Sequence, residues 1–177
     1  MAKSSVEQIE KDEKKILEEL SKNANKSIND IAKSLGFSRQ KVWRIIKNLE
    51  KNHVIWGYVA VIDNQKLNKK RYILLIKRSN KPIPENFVDH IITREIADKA
   101  KKMGIKFINS VLINGKYDWL ISFTADNLIQ AKSLVELYIR IYDGLISEIH
   151  LNEYMFPVLY DSIQNPEIKK IKDYFKI

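Results

Sequence analysis

Side chains that could do chemistry gather between residues 38 and 47, and most of them are hydrogen-bond donors. Arginine can form two hydrogen bonds to guanine and glutamine can do the same to adenine in the major groove, whereas lysine mainly contacts phosphate. The candidates are Ser38, Arg39, Gln40, Lys41, Trp43, Arg44 and Lys47. Their types predict contact with double-stranded DNA. The alternative is a helix face that only keeps the protein soluble.

The residues around these candidates predict a helix over residues 39–52. Apolar residues recur at helical intervals and mark one buried face: Val42, Ile45, Ile46 and Leu49. Gly36 allows a sharp turn before this helix, and Ser38 is a good N-cap for it. Trp43 lies off the apolar stripe, so it either packs on the first helix or contacts DNA. A short turn leading into a helix that is apolar on one side and basic on the other is typical of the helix-turn-helix motif.

Positive charge is concentrated on this helix and just after it. The chain of 177 residues carries a formal net charge of +9. Between residues 36 and 71 only Glu50 and Asp63 are acidic, against nine basic residues: Arg39, Lys41, Arg44, Lys47, Lys51, Lys66, Lys69, Lys70 and Arg71. This distribution is typical of a polyanion-binding surface. The alternative is the lysine-rich surface of a thermophilic protein, which the frequent Ile and Lys residues also suggest.

The composition gives little support to catalysis or to a metal site. There is no cysteine, and His53, His90 and His150 are scattered without a second ligand at metal-binding spacing. No phosphate-binding or dinucleotide-binding glycine pattern is present. We therefore expect no catalytic residue, no metal, no cofactor and no enzymatic activity. No apolar run is long enough to span a membrane and residues 1–15 lack a hydrophobic signal core, so we expect a cytoplasmic protein without membrane contact.

The first part of the chain reads as three helices and a strand. Helices are expected at residues 6–21, 28–35 and 39–52. Val6 and Ile9 begin the apolar stripe of the first one. Residues 54–62 are rich in β-branched and aromatic side chains and predict a strand. We expect an N-terminal winged helix-turn-helix domain over residues 1–62, followed by a basic linker at 63–71.

From residue 72 the pattern changes to strands interleaved with helices. The expected order is a strand at 72–79, a helix at 86–103, strands at 105–113 and 116–124, a helix at 127–142 and a strand at 146–156. Asn114-Gly115 between the middle strands is a strong hairpin signal. This βαββαβ order predicts a ferredoxin-like α+β domain over residues 72–160, with two helices on one face of an antiparallel sheet. We expect the other face to bind a second copy of the chain, and a tail at 161–177 to contain a helix from residue 166.

A chain with this order of elements resembles the Lrp/AsnC family, the feast/famine transcription regulators, over about residues 9–160. The best segments are DEKKILEEL at 12–20, IAKSLGFS at 31–38, NLEKNHVIWGYVAVID at 48–63 and LINGKYDWL at 112–120. The resemblance implies DNA binding by the second helix of the motif. It also implies a homodimer built through the C-terminal sheets, often assembled further into tetramers or octamers. It suggests in addition a small-molecule effector, often an amino acid, bound between dimers.

The resemblance places the effector near the predicted hairpin. The candidate residues are Asn114, Gly115, Lys116, Tyr117 and Asp118, completed by Asn152 and Tyr154 on the last strand. Asp118 would accept the ammonium group of an amino acid, and backbone amides in the turn would hold its carboxylate. The alternative is that Asn-Gly serves the turn alone.

These observations together predict a sequence-specific transcription regulator that is dimeric or larger and is modulated by a small molecule. Two alternatives stay open. One is a chromatin-like protein that binds DNA with little sequence preference. The other is an enzyme similar to the sirohaem decarboxylases, which resemble this architecture but need basic and histidine side chains around a tetrapyrrole pocket.

Overall fold

The computed structural model describes residues 2–175, which divide into two compact units. The first unit contains residues 2–61 together with 158–172. The second contains residues 62–157 together with residues 173–175. Each unit has its own hydrophobic core.

Three helices form the core of the first unit, as the sequence predicts. They are α1 (Ala2–Lys22), α2 (Ile28–Leu35) and α3 (Arg39–Lys51). Their apolar stripes meet in one cluster of buried side chains: Ile16, Ile31, Ala32, Val42, Ile45, Ile46 and Leu49. Burial of these side chains is the main force that holds α3 in place, because each buried aliphatic side chain contributes about 1.5–3 kcal/mol.

The first turns of α1 do not join this core, which corrects the expectation for Val6 and Ile9. Both side chains are 54% exposed, whereas Ile16 is fully buried. The reason is length. At 21 residues α1 is about 31 Å long, while α2 and α3 have only 8 and 13 residues to pack against it.

The strand expected at residues 54–62 is absent, so this prediction is wrong. After α3 the chain turns at His53, whose φ is 55°, and residues 56–63 belong to no helix or strand. The aromatic and β-branched residues favour an extended backbone, but a strand also needs a hydrogen-bonding partner, and this segment has none among the described residues. A short 3-10 helix (Gln65–Leu67) interrupts the predicted linker.

The second unit contains the predicted four-stranded antiparallel sheet. Its strands are β1 (Lys70–Arg78), β2 (Lys106–Leu112), β3 (Trp119–Ala125) and β4 (Ile146–Glu153). They lie in the order β2-β3-β1-β4, and every pair is antiparallel. This order with the intervening helices is the ferredoxin-like arrangement, so the predicted fold class is confirmed.

The region predicted as one helix over residues 86–103 is two helices, α4 (Asn86–Ile92) and α5 (Glu95–Lys102). The break lies at Arg94, which has a left-handed φ of 57°. His90 contacts the Glu95 carboxylate across the break. The change of direction buries Ile96 against the sheet, whereas Ile92 stays 71% exposed. The sequence predicts a continuous helix here because no glycine or proline marks the break.

The alternation of β1 divides the sheet into two faces. Tyr72, Leu74 and Ile76 are buried in a core with residues of α5 and with Ala131, Leu134 and Tyr138 of α6 (Leu128–Ile141). The residues between them point to the other face. There Leu75 lies directly opposite Leu120 of β3, and both are only partly buried. We call this second side the helix-free face.

The end of the chain differs from the predicted tail helix. β4 stops at Glu153 rather than at residue 156, and a small hairpin of β5 (Leu159–Tyr160) and β6 (Ile163–Gln164) follows. The turn residues Asp161 and Ser162 both have positive φ; the sequence signal was weak because it contains no glycine. A 3-10 turn (Ile168–Lys170) and α7 (Ile171–Phe175) come last, and the predicted residues 176–177 lie outside the described part.

Candidate nucleic-acid interface

The start of α3 is held by the turn that precedes it. Gly36 has a φ of 67° and closes α2, and the Phe37 N–H donates to the Ala32 carbonyl at 2.9 Å. Ser38 then caps α3, since its Oγ accepts the Lys41 N–H at 3.2 Å. Ser38, a predicted DNA-binding residue, therefore has a defined structural role at the helix start.

Beyond this cap, α3 presents one buried and one exposed face. Val42, Ile45, Ile46 and Leu49 are buried. Arg39, Gln40, Trp43, Arg44 and Lys47 are exposed. Trp43 is 54% exposed, so core packing, the first of its two predicted placements, is wrong. The exposed side combines guanidinium, amide and indole groups at the N-terminal half of one helix, which suits the reading of base edges.

Lys41 is placed differently from its neighbours. Its Nζ lies 2.6 Å from Asp12 Oδ2 on α1 and 4.1 Å from the centroid of the Phe37 ring. The lysine side chain is thus directed at α1 instead of lying free on the exposed face. Lys47 also makes an ion pair, with Glu50 at 2.7 Å. That pair is exposed and within one helix, so it contributes little to stability and can exchange for another anion.

Asp12 contacts the candidate interface from α1, and the sequence pattern did not single it out. Its side chain is nearly buried, and its Oδ1 accepts a hydrogen bond from Gln8 Nε2 at 3.0 Å. The hydrogen bond from Lys41 holds the pKa of the Asp12 carboxyl below its ordinary value, against the opposing effect of burial. A signal was present in the sequence, since Asp12 falls on the same helical stripe as Ile9 and Ile16.

The predicted effector residues of the β2–β3 connection lie in a six-residue loop instead of a two-residue turn. We call residues 113–118 the hairpin loop; it is closed by the Ile113 N–H donating to the Asp118 carbonyl at 2.9 Å. The Tyr117 ring lies edge-on to His150, with centroids 5.5 Å apart, and Lys116 Nζ lies 5.3 Å from the Tyr117 centroid. Asn114 and Gly115 are exposed at the tip.

Asp118, which is predicted to accept the ammonium group of an effector, has backbone partners within the chain. Its Oδ2 accepts the Arg78 N–H at 2.7 Å, and its own N–H donates to the Ile76 carbonyl at 2.9 Å. These bonds join the end of the hairpin loop to the end of β1. The arrangement gives Asp118 a structural role that the spacing alone did not predict.

The other two predicted effector residues differ in their distance from this loop: Asn152 lies two residues from His150, which Tyr117 contacts, whereas Tyr154 lies beyond the end of β4. Asn152 is opposite Ile73, and the Tyr154 N–H donates to the Arg71 carbonyl at 2.9 Å. Since Asp118 bonds Arg78, Tyr154 is separated from Asp118 by most of β1, or about 23 Å at the usual rise of a strand. The structure therefore groups five of the seven predicted effector residues in the hairpin loop and places Asn152 nearer to them than Tyr154, and the effector site itself stays a prediction.

Comparisons with known proteins identify a DNA-binding motif in the first unit and similar folds over most of the chain. Residues 13–55 match the winged helix-turn-helix DNA-binding family. No curated protein matches this chain. Among solved structures, an AsnC family transcriptional regulator from Agrobacterium tumefaciens is 20% identical, with 92% of this chain and 96% of that chain covered and a TM-score of 0.61.

Two further structures are similar over comparable lengths. A feast or famine regulatory protein from M. tuberculosis, complexed with L-methionine, is 13% identical, covers 86% of this chain and 96% of its own, and has a TM-score of 0.67. AsnC from E. coli is 16% identical, covers 85% and 95%, and has a TM-score of 0.58. The resemblance expected from the sequence is confirmed in architecture: this chain has the fold of the Lrp/AsnC transcription regulators.

Proposed function

We propose that this chain is a sequence-specific DNA-binding transcription regulator and that α3 enters the major groove. The observation that carries the proposal is the placement of Arg39, Gln40 and Arg44 on the exposed side of α3, opposite a fully packed apolar stripe. A helix anchored by its core can hold these donors in a fixed geometry, which base recognition requires.

The electrostatics of the described residues support the same proposal. Arg39 and Arg44 form no ion pair there, whereas the nearby Lys41 and Lys47 are paired with carboxylates. The unneutralised guanidinium groups therefore remain available for guanine or phosphate. Because the neighbouring lysines are already paired, the helix offers fewer free cations to phosphate. This favours recognition of bases by the arginines over a purely electrostatic attraction.

We propose a homodimer as the smallest active form. Leu75 and Leu120 face each other across β1 and β3 on the helix-free face, and Ile73 on the same face is also only partly buried. A second copy would cover this apolar surface through an isologous contact. Two copies of α3 would then read the halves of a palindrome, about 34 Å apart. Further assembly into tetramers or octamers would follow the pattern that the resemblance implies.

An amino acid is the proposed effector. L-methionine is bound in two of the similar regulators, from M. tuberculosis and from Neisseria meningitidis. Asn152 could contribute to a site at the hairpin loop of its own chain, because Tyr117 contacts His150 two residues away. Tyr154 would have to come from a second copy, because it lies about 23 Å from Asp118 along β1. A thermal-shift titration with each of the twenty amino acids tests this; a flat response throughout would contradict the effector proposal and leave the DNA-binding proposal intact.

Catalysis is the less favoured function. The described residues contain no cluster of three or more potential metal ligands. As a separate finding, none of the described helices combines the length and hydropathy of a membrane span. The fold is that of regulators, and we propose that the chain acts on DNA without a chemical step. Titration with sirohaem tests the enzyme alternative: an absorbance change that saturates would support it.

The decisive experiment is selection from a random pool of duplexes with the full chain at physiological salt. A regulator should enrich a palindrome with half-sites one helical turn apart. Enrichment of many unrelated duplexes would favour the chromatin-like alternative. No retention of DNA by a folded protein would overturn the proposed function.

A further inference from the structure

A buried acidic residue contacts the first turn of the candidate recognition helix. Asp12 lies on α1 with its side chain only 5% exposed, and its Oδ2 is 2.6 Å from Lys41 Nζ. Gln8, one turn earlier, donates to its other oxygen at 3.0 Å. Both carboxylate oxygens are therefore occupied, which fixes the direction of the carboxyl group.

Lys41 occupies a position where a lysine is electrostatically unfavourable. It is the third residue of α3, in the first turn, where the helix dipole is positive and an acidic residue is preferred. The Asp12 carboxylate supplies that negative charge from a neighbouring helix. The Phe37 ring lies 4.1 Å from the ammonium, within the range of a cation–π contact. The ammonium is thus held by two groups that both belong to the protein.

We propose that Asp12 is a specificity-determining residue, which holds the Lys41 ammonium against α1 and so keeps a phosphate-binding cation out of the DNA interface. The inference rests on the proposed function, in which α3 binds DNA. Phosphate contacts strengthen binding to every sequence alike, whereas base contacts discriminate. A first turn that presents Arg39 and Gln40 without an additional free cation therefore favours the cognate site over random DNA.

The neighbouring pair of Lys47 with Glu50 makes a useful contrast. Its two side chains are 55% and 30% exposed, so solvent and salt weaken the attraction and DNA phosphate can replace Glu50. Asp12 is shielded from solvent, and phosphate cannot easily replace it. The two lysines should consequently behave differently toward DNA, although both lie on α3.

The test compares the wild type with Asp12→Asn, Lys41→Gln and the double variant. Dissociation constants are measured for the selected duplex and for a random duplex of equal length, from about 50 to 200 mM salt. Asp12→Asn should free Lys41, bind random DNA roughly fivefold to tenfold more tightly and steepen the salt slope by about 0.9. Affinity for the selected site should rise less, so the specificity ratio falls. The double variant should return to the slope of the wild type.

The Lys41→Gln variant tests, independently of Asp12, whether Lys41 contacts DNA phosphate. We expect its salt slope to equal that of the wild type, because Lys41 does not contact phosphate. A shallower slope would show that Lys41 already binds DNA and would overturn the inference, as would an unchanged affinity of Asp12→Asn for random DNA. If Asp12→Asn fails to fold, the slope of Lys41→Gln alone supports or overturns the inference, since Lys41 is not buried.

Glu18→Gln is the matched control. Glu18 lies on α1, is exposed and forms no ion pair among the described residues, so its loss changes the net charge equally without freeing a lysine. The change in affinity of Glu18→Gln for the random duplex measures the effect of net charge alone. The inference requires this change to be smaller than the change caused by Asp12→Asn. If the wild type itself retains no DNA, the proposed function fails, and that result is distinct from a wild type that binds DNA while Asp12→Asn has no effect.

Discussion

The Asp118 carboxylate accepts the Arg78 backbone N–H at 2.7 Å, which joins the hairpin loop to the end of the central strand β1. The Asp118 N–H reinforces this link by donating to Ile76. A residue whose type and position suggest a ligand contact thus has a structural role without any ligand. A mutation of Asp118 can therefore lower the stability of the protein as well as weaken the binding of an effector, and measurements without a ligand separate the two effects.

Asp118→Ala should lower the stability of the protein when no amino acid is present. Loss of a hydrogen bond to a charged acceptor at an exposed position should lower the free energy of unfolding by about 1 kcal/mol. Urea unfolding without added ligand measures this. Lys116→Ala in the same loop is the control and should leave stability unchanged. Equal stability of wild type and Asp118→Ala would show that the bond to Arg78 does not matter.

Gly36→Ala should destabilise the first unit through its backbone alone. Gly36 has a φ of 67°, and a Cβ placed there would meet no atom within 4 Å. The cost is therefore the strain of a left-handed alanine, about 1–2 kcal/mol. Gly57→Ala is the matched control, because it has equal space and no left-handed φ. Thermal unfolding should separate the two variants; identical midpoints would contradict the strain argument.

Much of this fold follows from periodicity, and the exceptions have non-local causes. The helices of the first unit and the order of the sheet are predictable, because apolar side chains such as Val42 and Leu74 are buried whichever residues they pack against. The break at Arg94 depends on how α5 must point to bury Ile96. The six-residue loop depends on the bond between Asp118 and Arg78, which are distant in sequence. Local turn signals such as Asn-Gly reveal neither the helix break at Arg94 nor the length of the loop.

The candidate interface was predictable to a similar degree. The helical pattern placed Arg39, Gln40 and Arg44 correctly on the exposed side, because exposure follows from the position of the apolar stripe. It could not place Lys41, since the direction of a long flexible side chain depends on its partner. That partner, Asp12, lies on a different helix, and its acidic character within an apolar stripe was the sole clue.

The combination of Arg39→Ala with Arg44→Ala should abolish discrimination between the selected site and random DNA. Each arginine that reads a guanine contributes about 1–3 kcal/mol of discrimination, while neither is part of the buried core. Gel-shift titration measures the ratio, and circular dichroism should show an unchanged fold. Lys14→Ala, which removes an exposed cation from α1, should leave the ratio intact. Wild-type discrimination in the double variant would rule out base reading by these residues.

The pair of Asp12 and Lys41 should make part of the stability dependent on pH. The ordinary pKa of this carboxyl is 3.8, and the hydrogen bond from Lys41 lowers it in the folded protein. A lowered pKa means that the contribution is present above the unfolded value and is lost as pH falls through the folded value. Urea unfolding of wild type and Asp12→Asn should therefore differ most near neutrality and converge below about pH 4. A constant difference across that range would contradict the assignment.

Leu75→Lys should convert the proposed dimer into a monomer. Leu75 lies opposite Leu120 on the helix-free face, so a lysine there would place like charges together in an isologous contact and leave them desolvated. Sedimentation equilibrium should show a dissociation constant raised by more than about tenfold, and affinity for a palindromic duplex should fall because two linked readers bind better than one. Ile129→Lys is the control, since Ile129 on α6 is 82% exposed and lies away from that face. A stable dimer of Leu75→Lys would mean that the helix-free face is not where two copies meet.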